Sequence, residues 1–463
     1  MLRNWWTREC GGRDVLNIAL PLVISTGSLS LMLFVDRMLL LWHSSAEMAA
    51  AMPAGMTYWT MTCFPLGVAS FVNTFVAQYD GSQQPQRIGL VTWQGFRVGL
   101  YSTPLFLCAI PLAPGIFQFA GHPASLHVYE VLYFQILTVG SGAAVMSEAL
   151  AGFFSGRGST RIVMYVNVAA TLVNIVLDYL LIFGKFGLPE LGIEGAAWAT
   201  VAANWFKLLV YWWVIHSPSL VATYGIRSGR RWDPSLFRRL LVFGGPNGLQ
   251  YLVECTAFTL ITLKMAQFGE SEMVATSLAF NVNSVAFVPI IGLGIAISTL
   301  VGQNLTRGHV GLAARATWTG VTLAIAYNAA FASLYLLAPD WIMWGHAAGI
   351  RGERFAEIRE LTIILLRFAA AFCLFDAMQV VFVGAIRGAG DTWFVLLNTL
   401  ACSCLALTVG YLGAPWFDDI FWWWSITTGW VFLLGVTNLA RFLQGRWRKM
   451  RVIETPTSDL AFK

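Results

Sequence analysis

The chain has 463 residues, of which 57% are hydrophobic and only 11% charged, and its mean hydropathy is +0.65. These values exclude an ordinary water-soluble domain and define an integral membrane protein. Its apolar runs are continuous over more than about 20 residues, which predicts an all-α protein rather than a barrel of alternating strands. The net charge of +5 is no nucleic-acid signature, because the basic residues lie between the apolar runs.

In chain order there are twelve apolar segments: 15–42, 48–79, 88–118, 124–155, 161–184, 191–216, 237–268, 272–304, 311–339, 357–386, 391–414 and 420–444. The first is too long for a signal-peptide core and reads as a span. The basic connection between His216 and Arg239 divides the chain six plus six. The expected organisation is an N-lobe over 1–216, a cytoplasmic linker over 217–236, a C-lobe over 237–445 and a basic cytoplasmic tail over 446–463. With a cytoplasmic N-terminus, 20 of the 29 Lys and Arg fall on that side. Only Lys185, Arg351, Arg354 and Arg359 fall outside, three of them in the 340–359 loop with Asp340, Glu353 and Glu357. That bias predicts a multi-pass protein of the cytoplasmic (inner) membrane with both termini inside. Trp5, Trp6 and the run Trp422, Trp423 and Trp424 read as interface anchors.

The densest polar signal lies in span 5. Asn167, Thr171, Asn174 and Asp178 recur at spacings of four, three and four, so they share one helical face. A carboxylate in hydrocarbon costs roughly 2.5–3.5 kcal/mol on insertion scales. Such a group is kept for a partner, an ion or a wet cavity, or as a neutral hydrogen-bonded structural Asp. Asp36 in span 1 and Asp178 are displaced from mid-span in the same direction, by roughly 11 and 8 Å at 1.5 Å per residue. Two carboxylates at one depth hold a cation or share a proton, since close like charges do not both ionise in low dielectric. The plainer reading of Asp36 is a pair with Arg37.

In the second half, Asn247, Gln250 and Glu254 share a face of span 7, and Asp376 and Gln379 a face of span 10. Glu254 and Asp376 lie near mid-span, placed to meet across helices or to form one structural carboxyl–carboxylate bond. Asn281 and Ser284 in span 8 line the same cavity or act as interhelical glue. Glu148, Lys207, Lys264 and Arg367 are further intramembrane charges that pair or snorkel, and Arg97 reads as an inner-interface residue.

The halves repeat. Thr92-Trp93-Gln94-Gly95 matches Thr317-Trp318-Thr319-Gly320 at an offset of 225, as do Gln78 and Gln303, Gly67 and Gly292, and Pro21 and Pro246. Gly158-Ser159-Thr160 matches Gly390-Asp391-Thr392 at 232. Six spans per half give both copies one orientation, with substrate expected between them near mid-bilayer. The seven cysteines read as small apolar fillers. There is no phosphate-binding GxxxxGK[ST] and no Ser/His/Asp or metal-ligand arrangement, so no enzyme is expected, and transport energy would come from an ion gradient.

Several of these stretches resemble one known family. They are ALPLVISTGSLSLMLFVDRM in span 1, LAGFFSGRGST closing span 4 and NIVLDYLLIFG followed by LGIEGAAWAT. FVPIIGLGIAISTLVGQNLTRG in span 8 and VFVGAIRGAGDT closing span 10 complete the set. Together they resemble the multidrug and toxic-compound extrusion (MATE) family, in its NorM-like branch. The resemblance implies twelve helices in two pseudo-symmetric six-helix lobes around a V-shaped cleft, with alternating access driven by Na⁺ or H⁺. Under it, Asp36, Asn174 and Asp178 match the N-lobe cation site, with Thr200 as a nearby contact. Glu254 and Asp376 match a C-lobe acidic pair able to ligate Na⁺, and Gln250, Asn281 and Gln379 would line the substrate cavity or support the pair. The sequence SGRG, Ser155 to Gly158, departs mildly from the family's usual RG. The expected activity is antiport of Na⁺ or H⁺ against amphiphilic, often cationic, organic compounds. No cofactor beyond the coupling ion, no nucleic acid, contact with membrane lipids and a functional monomer are expected. A flippase or exporter of lipid-linked saccharides, or of another specific metabolite in the same superfamily, is the alternative, and the lipid-linked flippase predicts a cationic cavity; a lipid-acting enzyme or a receptor fits less well.

Overall fold

The computed structural model describes residues 2–119, 124–339, 354–417 and 419–454, which are helical with no strand among them. In order the helices are α1 (Leu2–Thr7), α2 (Gly12–His43), α3 (Ser45–Ser70), α4 (Val72–Gly81), α5 (Pro85–Ala109), α6 (Ala113–Phe119), α7 (Ala124–Gly156) and α8 (Thr160–Ile182). There follow α9 (Ile193–Ile215), α10 (Pro218–Tyr224), α11 (Pro234–Met265), α12 (Glu270–Thr306), α13 (Val310–Leu337), α14 (Arg354–Ala389), α15 (Thr392–Gly413) and α16 (Ile420–Gln444). Asp340, Arg351 and Glu353 of the 340–359 loop, and the tail beyond Glu454, lie outside the described residues.

Each of the twelve expected spans coincides with a helix, and two are broken. Span 48–79 turns at Phe71, where the Ser70 hydroxyl donates to Gly67 O in competition with the backbone ladder. Span 88–118 stops at Ala109 because Pro111 has no N–H to donate, and restarts with Pro114 in the first turn of α6. On length and composition, nine helical stretches among the described residues are apolar enough to cross a membrane; α5, α9 and α11 are not among them. Those three carry polar groups or several tryptophans, such as Gln94 and Arg97, Lys207 and Trp212, and Gln250 and Glu254.

By packing, the chain forms two compact units. One is Gly27–Leu249 with residues from Arg451 onward, and the other is Met1–Thr26 with Gln250–Met450. The grouping follows contacts rather than chain order, so α2 and α11 each change unit partway along.

The sequence duplication is a duplication of helix crossings. In the first unit Gly67 lies against the backbone of Gly248, Gly95 against Val72 and Gly156 against Asn73 O. In the second, Gly292 lies against Leu22 and Val23, Gly320 against Ile297 and Gly388 against Ser298 O. Each contact is carried onto its counterpart by the offsets of 225 and 232. The turns after α7 and α14 match as well. Gly158 and Gly390 both take left-handed φ, +77° and +100°. In each, the next amide closes back on the helix, Ser159 onto Phe154 O and Asp391 onto Ile386 O. Glycine ends a helix this way because it has no Cβ to strain.

The Thr-Trp-x-Gly repeat is a docking element. In α5, Trp93 Nε1 donates to Ile226 O at 2.8 Å and Gln94 Nε2 to Arg231 O at 3.2 Å. In α13, Thr319 Oγ1 donates to Cys10 O at 3.0 Å. The segments leading into α11 and α2 are therefore fastened at matching places. Residues 217–236, expected as a plain basic linker, fold as α10 and a short 3-10 turn, Ser228–Arg230, seated on α5. Arg230 lies over the rings of Trp93 and Trp212, 5.2 and 5.6 Å from their centroids. Arg97, read as an interface residue, donates to Arg230 O and stacks on Trp232.

Asp233 starts α11, its Oδ1 accepting from Leu236 N at 3.0 Å and Ser235 Oγ at 2.7 Å. Partial burial works to raise its pKa, but these hydrogen bonds and Arg87 outweigh burial and hold the carboxyl below its ordinary value. A depressed folded pKa contributes stability that is complete above the unfolded value of about 3.9 and is lost as pH falls through the lower folded value. Asp233→Ala is expected to cost about 1 kcal/mol of helix stability at neutral pH, and Asp233→Asn little. Thermal melts of the two variants at neutral pH check this, and equal melting points would remove the cap.

Trp423 and Trp424, expected as interface anchors, are core residues, 1% and 0% exposed. Trp424 stacks on Phe280 at 4.8 Å and donates through Nε1 to Thr276 Oγ1. Only Trp422 of that run is half-buried, stacked on Phe417. The tail is seated as far as it is described. Trp447 stacks on Phe442. Further on, Val452 is buried, donating through N to Gln78 Oε1 at 2.8 Å and accepting from Arg239 at 2.7 Å, while Glu454 pairs with Arg87 and Arg239.

Candidate functional site

Two carboxylate clusters are built, one in each packing unit. In the first, α8 contributes Asn174 and Asp178 from adjacent turns, both 0% exposed, and Asn174 Nδ2 donates to Asp178 Oδ1 at 3.5 Å and to Thr200 Oγ1 of α9 at 3.4 Å. Asp36 of α2 is also buried, its Oδ2 accepting from Tyr133 OH of α7 at 3.4 Å. Asp36 acts electrostatically on Asp178, and both act on Tyr133. The sequence residues Asp36, Asn174, Asp178 and Thr200 are thus brought together.

The stripe on α8 is divided in its use. Thr171 donates to Ser28 O of α2 at 3.3 Å, so it fastens a helix rather than joining the acidic group. Tyr133 went unread in the sequence. Tyrosine is common in spans, and nothing in its spacing marks its hydroxyl as a donor to a carboxylate five helices earlier.

Three oxygens of this cluster are buried with no hydrogen-bond donor: Asp36 Oδ1, Asn174 Oδ1 and Asp178 Oδ2. All three are acceptors, and hydrogen bonding alone would call for donors among them. Hard oxygen acceptors of this kind suit a proton or a small hard cation.

In the second unit, α11 and α14 face each other. Gln250 Nε2 donates to Glu254 Oε1 at 2.9 Å, and Gln379 Nε2 reaches the same oxygen at 3.5 Å. Asp376, at the edge of burial, feels the charge of Glu254 across the helices. Glu254, Asp376, Gln250 and Gln379 therefore form one cluster. Asn247, on the same face of α11, has another task and donates to Gly67 O at 2.7 Å and Ser70 Oγ at 3.2 Å. Asn281 is exposed, whereas Asn283, two residues further along α12, is buried. Among the described residues no group of three or more His, Cys, Asp or Glu is placed to hold a metal ion.

The remaining intramembrane charges fall elsewhere. Glu148 and Lys207 act on each other between α7 and α9. Lys264 donates to Gln267 at the end of α11, and Arg367 is exposed on α14. Arg387, which falls between the apolar segments 357–386 and 391–414 of the sequence, lies in the last turn of α14 and donates to Gln250 Oε1 at 2.8 Å.

Comparison with known proteins places this arrangement. The MatE family model matches the chain twice, over residues 21–180 and 246–412, with starts separated by the repeat offset. The chain is 28% identical over 413 residues to the multidrug resistance protein PmpM of Pseudomonas aeruginosa, covering 88% of this chain and 85% of that one. It is also 28% identical to the multidrug resistance protein NorM of Burkholderia vietnamiensis, covering 90% of each. A MOP superfamily transporter from Pyrococcus furiosus superposes with a TM-score of 0.84 at 17% identity, covering 96% of this chain and 97% of that one. The eukaryotic MATE transporter AtDTX14 superposes at 0.80 with 20% identity, covering 94% and 96%. The duplicated match covers well over half of the chain, and the chain belongs to the MATE family, NorM-like: a twelve-helix membrane transporter, not an enzyme.

Proposed function

We propose that the protein is a secondary active exporter that exchanges Na⁺ or H⁺ for amphiphilic, often cationic, organic compounds by alternating access. The observation that carries this is the set of three buried acceptor oxygens, Asp36 Oδ1, Asn174 Oδ1 and Asp178 Oδ2, with no donor to satisfy them. A buried unsatisfied oxygen costs about 1–3 kcal/mol, more when charged, and a cation or proton removes that cost. The ion is transported cargo here, and its binding shifts the access equilibrium only by its differential affinity for the two states. The Glu254 and Asp376 pair, braced by Gln250 and Gln379, serves as a second coupling site in the other unit. The PmpM and NorM relatives carry the name multidrug resistance protein, and we extend that class of substrate to this chain. In this reading both termini are cytoplasmic, which the bias of basic residues supports, and the protein works as a monomer among the lipids of the inner membrane.

Ethidium efflux from loaded proteoliposomes under an imposed Na⁺ or H⁺ gradient tests the proposal. Wild type is expected to export dye under one gradient, with Asp36→Asn and Glu254→Gln each reducing the gradient-driven rate about tenfold or more, the effect of removing roughly 1.4 kcal/mol of coupling. Wild-type protein that moves no dye under either gradient overturns the drug-export reading. Loss in one variant alone assigns the coupling to that cluster.

A further inference from the structure

We propose that Arg387 is a positioning residue for Glu254, acting through Gln250. The proposal rests on the reading of Glu254 as a coupling carboxylate and adds a residue to that machinery.

The geometry is a three-member relay. On α14, Asp376, Gln379 and Arg387 lie at spacings of three and eight, so they share one face. On α11, Gln250 and Glu254 are one turn apart. Arg387 Nη2 donates to Gln250 Oε1 at 2.8 Å, and Gln250 Nε2 donates to Glu254 Oε1 at 2.9 Å. The guanidinium is held from a second side by Tyr251, whose hydroxyl accepts from Nη1 at 3.3 Å and whose ring centroid is 5.1 Å away.

The chemistry of the partners fixes the sense of the relay. A guanidinium has five N–H donors and no acceptor, and an ionised carboxylate has only acceptors. Between them, the Gln250 amide has one favourable orientation: oxygen towards Arg387 and nitrogen towards Glu254. Flipped, it would set N–H against N–H at one end and oxygen against oxygen at the other. Arg387 therefore makes Gln250 a donor to Glu254 and withdraws its carbonyl oxygen from service as an ion ligand.

Arg387 is not the half of an ordinary ion pair. Among the described residues no carboxylate lies in salt-bridge contact with it, its hydrogen bonds go to Gln250 and Tyr251, and its Nε is buried without a partner. Its charge acts on Glu254 from behind the amide. The other half of the repeat has no counterpart. At the matching position stands Ser155, whose hydroxyl donates to Asn73 Oδ1 at 2.6 Å. The relay belongs to the Glu254 cluster alone.

The test uses the full-length protein in proteoliposomes and measures efflux of ethidium against the concentration of the driving cation. It compares wild type with Arg387→Met, Arg387→Lys, Gln250→Leu, the double variant Arg387→Met/Gln250→Leu, and Glu254→Gln. Arg387→Met and Gln250→Leu are each expected to raise the half-saturating cation concentration about tenfold, as loss of a hydrogen bond to a charged group would. In Arg387→Met, where both the acid and its amide partner remain, the maximal rate should change less than the half-saturating concentration does. The double variant should be no worse than the poorer single one, because both cut the same path. Arg387→Lys should recover most of the affinity. Gln250→Leu cuts the relay at its middle and leaves Arg387 held by Tyr251, so it carries the test if Arg387→Met does not fold. Unchanged half-saturation with a reduced maximal rate overturns the proposal in favour of a packing role. Losses that multiply in the double variant also overturn it. The failures separate: a Glu254→Gln protein with wild-type cation dependence overturns the coupling reading itself. A Glu254→Gln protein that loses that dependence while Gln250→Leu keeps it overturns only the role of Arg387.

Discussion

Gly67→Val and Gly292→Val should each cut the yield of folded, monodisperse protein about tenfold or more, the effect of 1.4 kcal/mol or above. A Cβ built on Gly67 falls 2.4 Å from Gly248 Cα and 2.8 Å from its nitrogen, and one on Gly292 falls 2.5 Å from Leu22 C and O. In both cases the obstacle is backbone within a helix, which cannot swing aside as the end of a side chain does. Overpacking typically costs about 1–3 kcal/mol, and a clash that moves a whole helix belongs at the upper end. Gly55 supplies the contrast within α3. A Cβ there meets nothing within 4 Å, so Gly55→Ala should be neutral or stabilising by about 0.5–1 kcal/mol through helix propensity. Fluorescence-detected size exclusion with a thermal ramp measures all three. Wild-type behaviour of Gly67→Val would mean that the α3–α11 crossing is looser than described, and a loss at Gly67 without one at Gly292 would mean that the two crossings are not equivalent.

Trp93→Ala should release the segment that leads into α11. Trp93 is 5% exposed, donates to Ile226 O, touches the rings of Phe96 and Trp212 at 5.2 and 5.3 Å, and carries Arg230 on its face. Truncating a buried aromatic of this kind costs about 3–5 kcal/mol. Here the cost falls on one docked segment, so local opening is the expected outcome rather than global unfolding. Arg227, Arg230 and Arg231 make that opening readable by limited trypsin digestion. Cleavage between α10 and α11 should accelerate more than tenfold in Trp93→Ala and less in Trp93→Phe, which keeps a ring and loses the N–H. Equal cleavage rates would show that the segment is held by something else. The repeat partner Trp318 is 45% exposed and contacts Phe382 and Phe442 only at ring distances of 5.7 and 6.1 Å, so Trp318→Ala should matter less.

Membrane insertion makes some of this architecture easy to read from the chain and some of it hard. The twelve spans were legible because a lipid-crossing helix needs a long apolar run, and each run is helical, two of them with a break. The duplication was legible because Gly67, Gly292 and the Thr-Trp-x-Gly motifs are tied to close backbone contacts that few other residues satisfy. Asp36, Asn174, Asp178, Glu254 and Asp376 stood out because polar groups are costly in hydrocarbon. What hydropathy does not carry is partnership. It marks Asn247 and Gln250 alike as polar, yet one fastens α3 and the other serves Glu254. It reads Trp423 and Trp424 as interface residues because tryptophan is amphipathic, whereas their burial depends on which helices surround α16. It reads Arg387 as a loop charge because a charge near a span end is cheap in either place. Tyr133 and the docking of residues 217–236 depend on contacts from distant parts of the chain, and a single sequence holds no record of those.

The crossing of Leu22, Val23 and Thr26 with α12 also sets an order of manufacture. Thr26 bonds Pro289 O across 263 positions, and Cys10 accepts from Thr319 across 309. A ribosome adding about 5–20 residues per second leaves the opening turns of α2 in the bilayer for tens of seconds before their partners exist. The opening turns of α11 have no such wait, because Gly67 and Ser70 are already made when Asn247 and Gly248 emerge. The two equivalent crossings are therefore built under opposite conditions, one by arrival at a finished surface and one by an unpartnered helix awaiting its surface. The seating of Val452 on Gln78 comes last of all, only after the final helix has been released.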